Sequence, residues 1–158
     1  VRAPRRGERG YTFFELLACA GILMVLASAA LPLAKVSQTR RKELELRRAL
    51  REMRTAIDRY QEAVVQGQIG GTDVKLGSEG YPPTLEVLVD GVSQVGRVDH
   101  KLKFMRRIPI DPFTGKAEWG LRCYQDDVDE TSWCGQNVYD VRSLAPGQAL
   151  DGSEYREW

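Results

Sequence analysis

Gly10-Tyr11-Thr12-Phe13-Phe14-Glu15-Leu16-Leu17 is the stretch that decides the fold. From Leu16 to Ala34 the chain carries no charged residue, a run of 19 positions. A helix of that length crosses the hydrocarbon core of a bilayer. Glu15 stands at the near edge of the run, between Phe14 and Leu16. A carboxylate beside a membrane span is unfavourable there and points to a functional site. Before Gly10 lies a short leader with Arg2, Arg5, Arg6 and Arg9 against Glu8.

Past the apolar run the composition changes but the helical period does not. Leu46, Leu50, Met53, Ile57, Tyr60 and Val64 recur at steps of four and three, which is one face of an α-helix. Arg47, Arg48, Arg51, Arg54 and Arg59 fall elsewhere around it. The spacing predicts one helix from Tyr11 to about Gln66. Its first part, 11–34, suits a membrane, and its second, 35–66, is amphipathic. Pro32 lies inside it. Its nitrogen has no hydrogen for the Ser28 carbonyl and its ring crowds that group, so a kink is expected.

The remainder reads as a small α+β region. Glycines at 67, 70, 71, 77 and 80 mark a loop. Thr84 is placed to cap a short helix over Leu85–Val89. Residues 91–103 are polar, hold the single histidine, His100, and suggest no element. Asp111-Pro112-Phe113-Thr114-Gly115 is turn chemistry. Lys116–Tyr124 and Asn137–Ser143 read as strands. In the polar tail, Leu150, Tyr155 and Trp158 are the residues able to anchor it.

The order of basic leader, Gly10, aromatic Tyr11, Thr12, two apolar residues, Glu15 and an apolar helix resembles the type IV prepilin signature. It is most similar to the pseudopilins of bacterial type II secretion systems, with Tyr11 in place of the usual Phe. Tyr81-Pro82-Pro83-Thr84 with its helix, and the Asp111-Pro112 turn, resemble the corresponding segments of the major pseudopilin. The resemblance implies cleavage after Gly10 by a prepilin peptidase and N-methylation of Tyr11. It implies assembly with copies of itself, where Glu15 meets a neighbour and a helix at Pro32 loosens. It also implies other pseudopilins and an inner-membrane assembly platform as partners, and a single-pass inner-membrane protein with its C-terminal domain in the periplasm. A type IV pilin or minor pilin for adhesion or motility fits the same signature.

Two other readings use the same residues. Ala27-Ser28-Ala29 fits signal-peptide cleavage, which would leave a secreted binding module, but Glu15 breaks the start of the apolar segment. Leu16-Leu17-Ala18-Cys19 looks like a lipobox, yet cleavage there would leave Ala20 to Leu31 on the mature chain. Basic residues flank both ends of the span, so charge alone does not orient it.

The net charge of +1 gives no reason to expect nucleic acid. Its distribution is uneven. Residues 35–66 hold nine basic and five acidic side chains, and residues 115–158 hold four basic and nine acidic. These sets would attract one another between stacked copies, or remain solvated faces. Cys123 and Cys134 would close a disulfide in an oxidising compartment and stay free thiols in the cytosol. Asp126, Asp127, Asp129 and Glu130 are hard oxygen donors of the kind calcium takes. The resembled family binds calcium in a loop after a Ser-Leu pair, matched here by Ser143-Leu144, although Ala145-Pro146-Gly147 then departs from the pattern. A solvated acidic loop without metal is the other reading.

No phosphate-binding glycine loop, metalloprotease motif or histidine-based triad is present, so no enzyme is indicated. The expectation is a pilin-like α+β fold, with a long N-terminal helix on a small antiparallel β-sheet. Its parts would be a leader at 1–10, a membrane or filament-core helix at 11–34, the amphipathic continuation at 35–66 and a periplasmic domain at 67–158.

Overall fold

A computed structural model describes residues 11–70, 74, 77–127, 130 and 132–158, with backbone alone at 29–31 and 98–100. Helix α1 runs over Phe13–Val65 and continues through Pro32. By internal contacts the chain divides between Thr39 and Arg40. The second part of α1 therefore belongs with the distal domain. The N-terminal unit is bare helix over its described residues.

Within the distal unit the helical stripe becomes a core. Leu46, Leu50, Met53, Ile57 and Tyr60 are each 2% exposed or less, with Ala49, Ala56 and Ala63 filling between them. Each large side chain so buried contributes about 1.5–3 kcal/mol of transfer free energy. Against them pack Leu88, Val92, Met105, Trp119, Val138 and Val141.

The helix stops where glycine allows it. Gly67 takes φ 71°. Its N–H donates to the Val64 carbonyl, and the Gln68 N–H to Ala63. This is the paired bonding of a Schellman cap, which satisfies carbonyls the helix leaves open.

Helix α2 covers Leu85–Asp90 and buries Leu85 and Leu88; the Thr84 hydroxyl makes no capping bond. The Leu88 carbonyl accepts the N–H groups of both Phe104 and Met105. Between them lies a hairpin the sequence did not suggest. Strand β1, Val92–Gln94, pairs antiparallel with β2, Arg97–Leu102, with a bulge at Ser93/Gln94. Strand β3, Gly120–Arg122, pairs antiparallel with β4, Asp140–Arg142. The α+β class holds. The single small sheet does not: the described residues form two separate two-stranded sheets, and β3 and β4 are shorter than 116–124 and 137–143. At Gly91, with φ 80°, a Cβ would stand 2.8 Å from the Leu102 carbonyl oxygen, so the return of β2 excludes a side chain there.

The Asp111 turn holds the distal core together. Asp111 is fully buried. Its carboxyl accepts the Phe113 N–H at 2.7 Å, the Thr114 N–H at 3.3 Å and the Ser143 hydroxyl at 2.5 Å. Its backbone N–H donates to Lys116, and its carbonyl accepts from Gly115. A turn is thereby bonded to the chain just after β4. Asp111→Ala should cost about 2–4 kcal/mol, because the Ser143 hydroxyl and two amides lose their acceptor in a dry site. Thermal unfolding of the full chain in detergent measures it. Ser143→Ala, which removes one donor and leaves the turn bonds, should cost less.

Candidate functional site

Gly10 and the leader lie outside the described residues. Tyr11 and Glu15 are described, and both are exposed. Thr12 precedes the first residue of α1. Its hydroxyl accepts the Glu15 N–H at 3.3 Å, and its carbonyl accepts Glu15 and Leu16. Thr12 thus caps the helix, satisfying donors that its first turn leaves open. The Thr-x-x-Glu spacing is that of a capping box. That spacing is visible in the sequence at Thr12 and Glu15.

Beyond the cap, the side chains described in α1 up to Lys35 have no protein cover. Tyr11 is 75% exposed, Phe13 80% and Phe14 82%. The free thiol of Cys19 is exposed among them. The helix is long and apolar enough to span a membrane, and none of its most apolar window is buried. An exposed apolar surface of this extent is of the kind that marks a membrane or protein interaction surface.

The distal unit carries a second set of groups, arranged by charge on two flanks of α1. On one flank the arginines are used within the chain. Arg47 pairs with Asp151 at 3.0 Å, and its guanidinium lies 4.1 Å from the centre of the Trp158 ring. Arg54 donates to the Asp140 carboxylate at 2.6 Å and to the Val141 and Trp158 carbonyls. Hydrogen bonds from Ser153, with the Arg47 charge adding to them, hold the Asp151 carboxyl below its usual range. Glu43 accepts the Leu150 N–H and the Tyr155 hydroxyl. Burial, then the Glu43 carboxylate, raises the Tyr155 phenol. Tyr155 is buried and Trp158 half-buried, whereas Leu150 is 48% exposed, so the tail is held by its aromatic rings and backbone.

The other flank is open. Arg48, Arg51 and Arg59 of α1, with Lys103 and Arg106 from the segment after β2, line a groove of about 970 Å³. Its apolar lining is Ala56, Phe104 and Met105, and among the described residues Glu52 is the acid that lines it.

Cys123 and Cys134 are joined in a disulfide. The loop it closes is braced by Asn137, which is fully buried. The Asn137 side-chain oxygen accepts the Tyr124 N–H at 3.0 Å, its amide donates to Gln125 at 2.8 Å, and its carbonyl accepts the Trp133 indole. No sequence signal marked Asn137, because its side-chain partners, the Tyr124 amide and Gln125, lie on the far side of the loop.

The acids proposed for calcium are divided. Asp126 is committed to the Cys123 N–H at 2.7 Å, Glu130 accepts the Ser132 hydroxyl, and Asp127 is exposed. Asp129 lies outside the described residues. Among the described residues, the ligand-type atoms that converge belong to Cys123, Cys134 and Asp126. The disulfide occupies two of those three. Ser143 donates to Asp111, so its hydroxyl serves the core. Pro32 lies within α1, and the side chain of His100 is outside the description.

No protein-family model, curated protein or solved structure matches this chain.

The disulfide yields a direct prediction. Closing a loop of this length stabilises by about 2–3 kcal/mol in the chain-entropy account. Reduction, or paired Cys123→Ser and Cys134→Ser, should lower the thermal midpoint of the full chain in detergent accordingly. Thiol labelling of the unreduced, denatured chain should reach Cys19 and neither of the other two.

Proposed function

We propose that the chain is a filament subunit of the type IV pilin superfamily, most similar to the major pseudopilin of type II secretion. The observation that carries the reading is the ordered set Gly10, Tyr11, Thr12, Phe13, Phe14 and Glu15 ahead of an uncharged helical run. The layout of the rest supports it: an uncovered apolar helix whose continuation forms one wall of a small α+β domain. In this reading a prepilin peptidase cuts after Gly10 and the new amino terminus, Tyr11, is methylated. Subunits anchored in the inner membrane, with the domain in the periplasm, then add to a helical pseudopilus that moves folded proteins outward. The role is mechanical, not enzymatic. Its partners are copies of the chain, other pseudopilins and the assembly platform.

Glu15 has a defined task in this scheme. The amine at Tyr11 is cationic, and a charge in an apolar setting is tolerated when paired. A neighbour's amine supplies that partner in the filament, so a wrongly seated subunit leaves two charges unmatched. The Thr12 bond goes to the backbone N–H of residue 15, not to its carboxylate. Replacing the side chain therefore leaves that capping bond in place.

Two measurements test the proposal in a host with a prepilin peptidase. Mass spectrometry of the mature chain should find Tyr11 at the amino terminus, methylated. Ala30 there would establish signal-peptide cleavage, and a lipidated Cys19 a lipoprotein. Glu15→Val should be processed and membrane-held yet fail to polymerise alone. Normal filaments from Glu15→Val would remove the pairing role.

A further inference from the structure

Like charges held close repel one another, yet five cations line one groove of the distal unit. Arg48, Arg51 and Arg59 come from α1, and Lys103 and Arg106 from the segment after β2. All five are exposed. Among the described residues, none of them takes part in an ion pair or donates a side-chain hydrogen bond. The opposite flank of the same helix differs, because Asp151 and Asp140 hold Arg47 and Arg54 there. In the groove, Glu52 is the acid among the described lining residues. Five basic side chains against one acid leave the lining with an excess of four positive charges.

Both walls of the groove are fixed by the fold. One is α1 itself, anchored by its buried stripe. The other is set by the Leu88 carbonyl, which accepts the N–H groups of Phe104 and Met105 at 3.0 Å each. Met105 is buried, and the Phe104 ring meets Tyr60 edge-on at 5.4 Å. These contacts carry Lys103 and Arg106 to the groove on either side of them. An anion entering it would order side chains and little backbone, which keeps the entropic cost of binding low. The cations are also spread out. Arg48 and Arg59 stand roughly 16 Å apart along the helix, at about 1.5 Å per residue.

We propose that this groove binds an anion bearing at least two phosphate groups. A guanidinium fork meets phosphate oxygens in pairs, and lysine adds a point charge. One phosphate group carries up to about two negative charges and three acceptor oxygens. Two such groups match the excess of four, and one does not. The spread of the cations along α1 also suits several phosphates better than one. The ligand is a small one, either a free polyphosphate or the headgroup of a lipid. A strand of nucleic acid suits the groove less. It carries one charge per phosphate and binds by stacking its bases on open rings. Phe104, the ring that lines the groove, is packed on Tyr60 instead. The site uses neither Tyr11 nor Glu15, so it stands or falls apart from the filament reading.

Titration calorimetry of the full-length chain in non-ionic detergent, at physiological ionic strength, tests the site with inorganic triphosphate. Triphosphate should bind, and orthophosphate about tenfold more weakly or less. Arg51→Glu/Arg59→Glu should weaken triphosphate by about tenfold or more, because it reverses charge inside the groove. Arg40→Glu/Arg41→Glu makes the same change of charge outside it and should leave the affinity within about twofold. All four arginines are exposed, so both variants should unfold at the temperature of the parent chain. Triphosphate should also slow acylation of the Lys103 amine and leave that of Lys116 unchanged. Cardiolipin in mixed micelles then separates the sources. Displacement of triphosphate supports the site as one for a lipid headgroup, and no displacement supports it as one for a free polyphosphate. The proposal is overturned if triphosphate does not bind, if the two double variants weaken it equally, or if Lys103 is not protected. It is also overturned if orthophosphate or a single-stranded oligonucleotide binds more tightly than triphosphate.

Discussion

The packing of one stripe of α1, Leu46 to Tyr60, is the contact on which the distal domain depends. Two two-stranded sheets of short strands have too little ladder to stand alone. They become stable because each lies against the same helix. Val92 and Met105 bring the first sheet to the stripe, and Trp119, Val138 and Val141 the second. The alanines at 49, 56 and 63 matter in the same way. Small side chains beside the large ones let strands and loops approach the helix closely, and close packing is where dispersion contributes. A bulky residue at Ala56 would push this layer off the helix.

The charges of α1 are organised around that stripe. Arginine side chains lay their apolar stems along a core edge and carry the guanidinium beyond it. On the flank of Arg47 and Arg54 this closes the domain, since both reach groups of β4 or the tail. Arg54 serves a carboxylate and two carbonyls at once, which suits a planar fork with five donors and would not suit lysine. Among the described residues, the flank of Arg48, Arg51 and Arg59 has no such partners, although its residue types are the same. Residue type alone therefore does not say which arginine is structural. The position of the acids, set by chain segments 86 and 104 residues away, decides it.

Elements that depend on local chemistry were legible in the sequence. The helix follows from the four-three spacing, its end from Gly67, and the Asp111 turn from Asp-Pro followed by Gly115. The helix begins at Phe13 and not at Tyr11, because Thr12 takes the capping position. The hairpin of β1 and β2 was illegible for a physical reason. Arg97–Leu102 alternates poorly, and it is held by backbone pairing and by Val92 and Leu102 at its ends. Just ahead of β4, the Val138 N–H goes to the Pro82 carbonyl and the Tyr139 N–H to Arg122, which extends the pairing of β4 with β3. Of the site residues, Glu15 announced itself by standing at the edge of an apolar run. Asn137 and Ser143 did not, because a buried polar residue is recognised by partners that only the fold supplies.

The two parts of α1 pose different problems of specificity. Over the first part the surface is apolar all round, and lipid tails satisfy it as well as another helix does. Burial of that surface can hold the chain in an apolar medium, but it is non-directional and fixes no register. A unique arrangement of copies needs polar groups that are costly when misplaced. In the filament we propose, Glu15 is the group of that kind available between Leu16 and the amino terminus. In the distal unit the charges of the open cationic flank gain little from water-screened neighbours of the same sign and would gain more from a matched acidic surface. Affinity then comes from the apolar length of the helix, and order comes from a few charges placed where they are unfavourable alone.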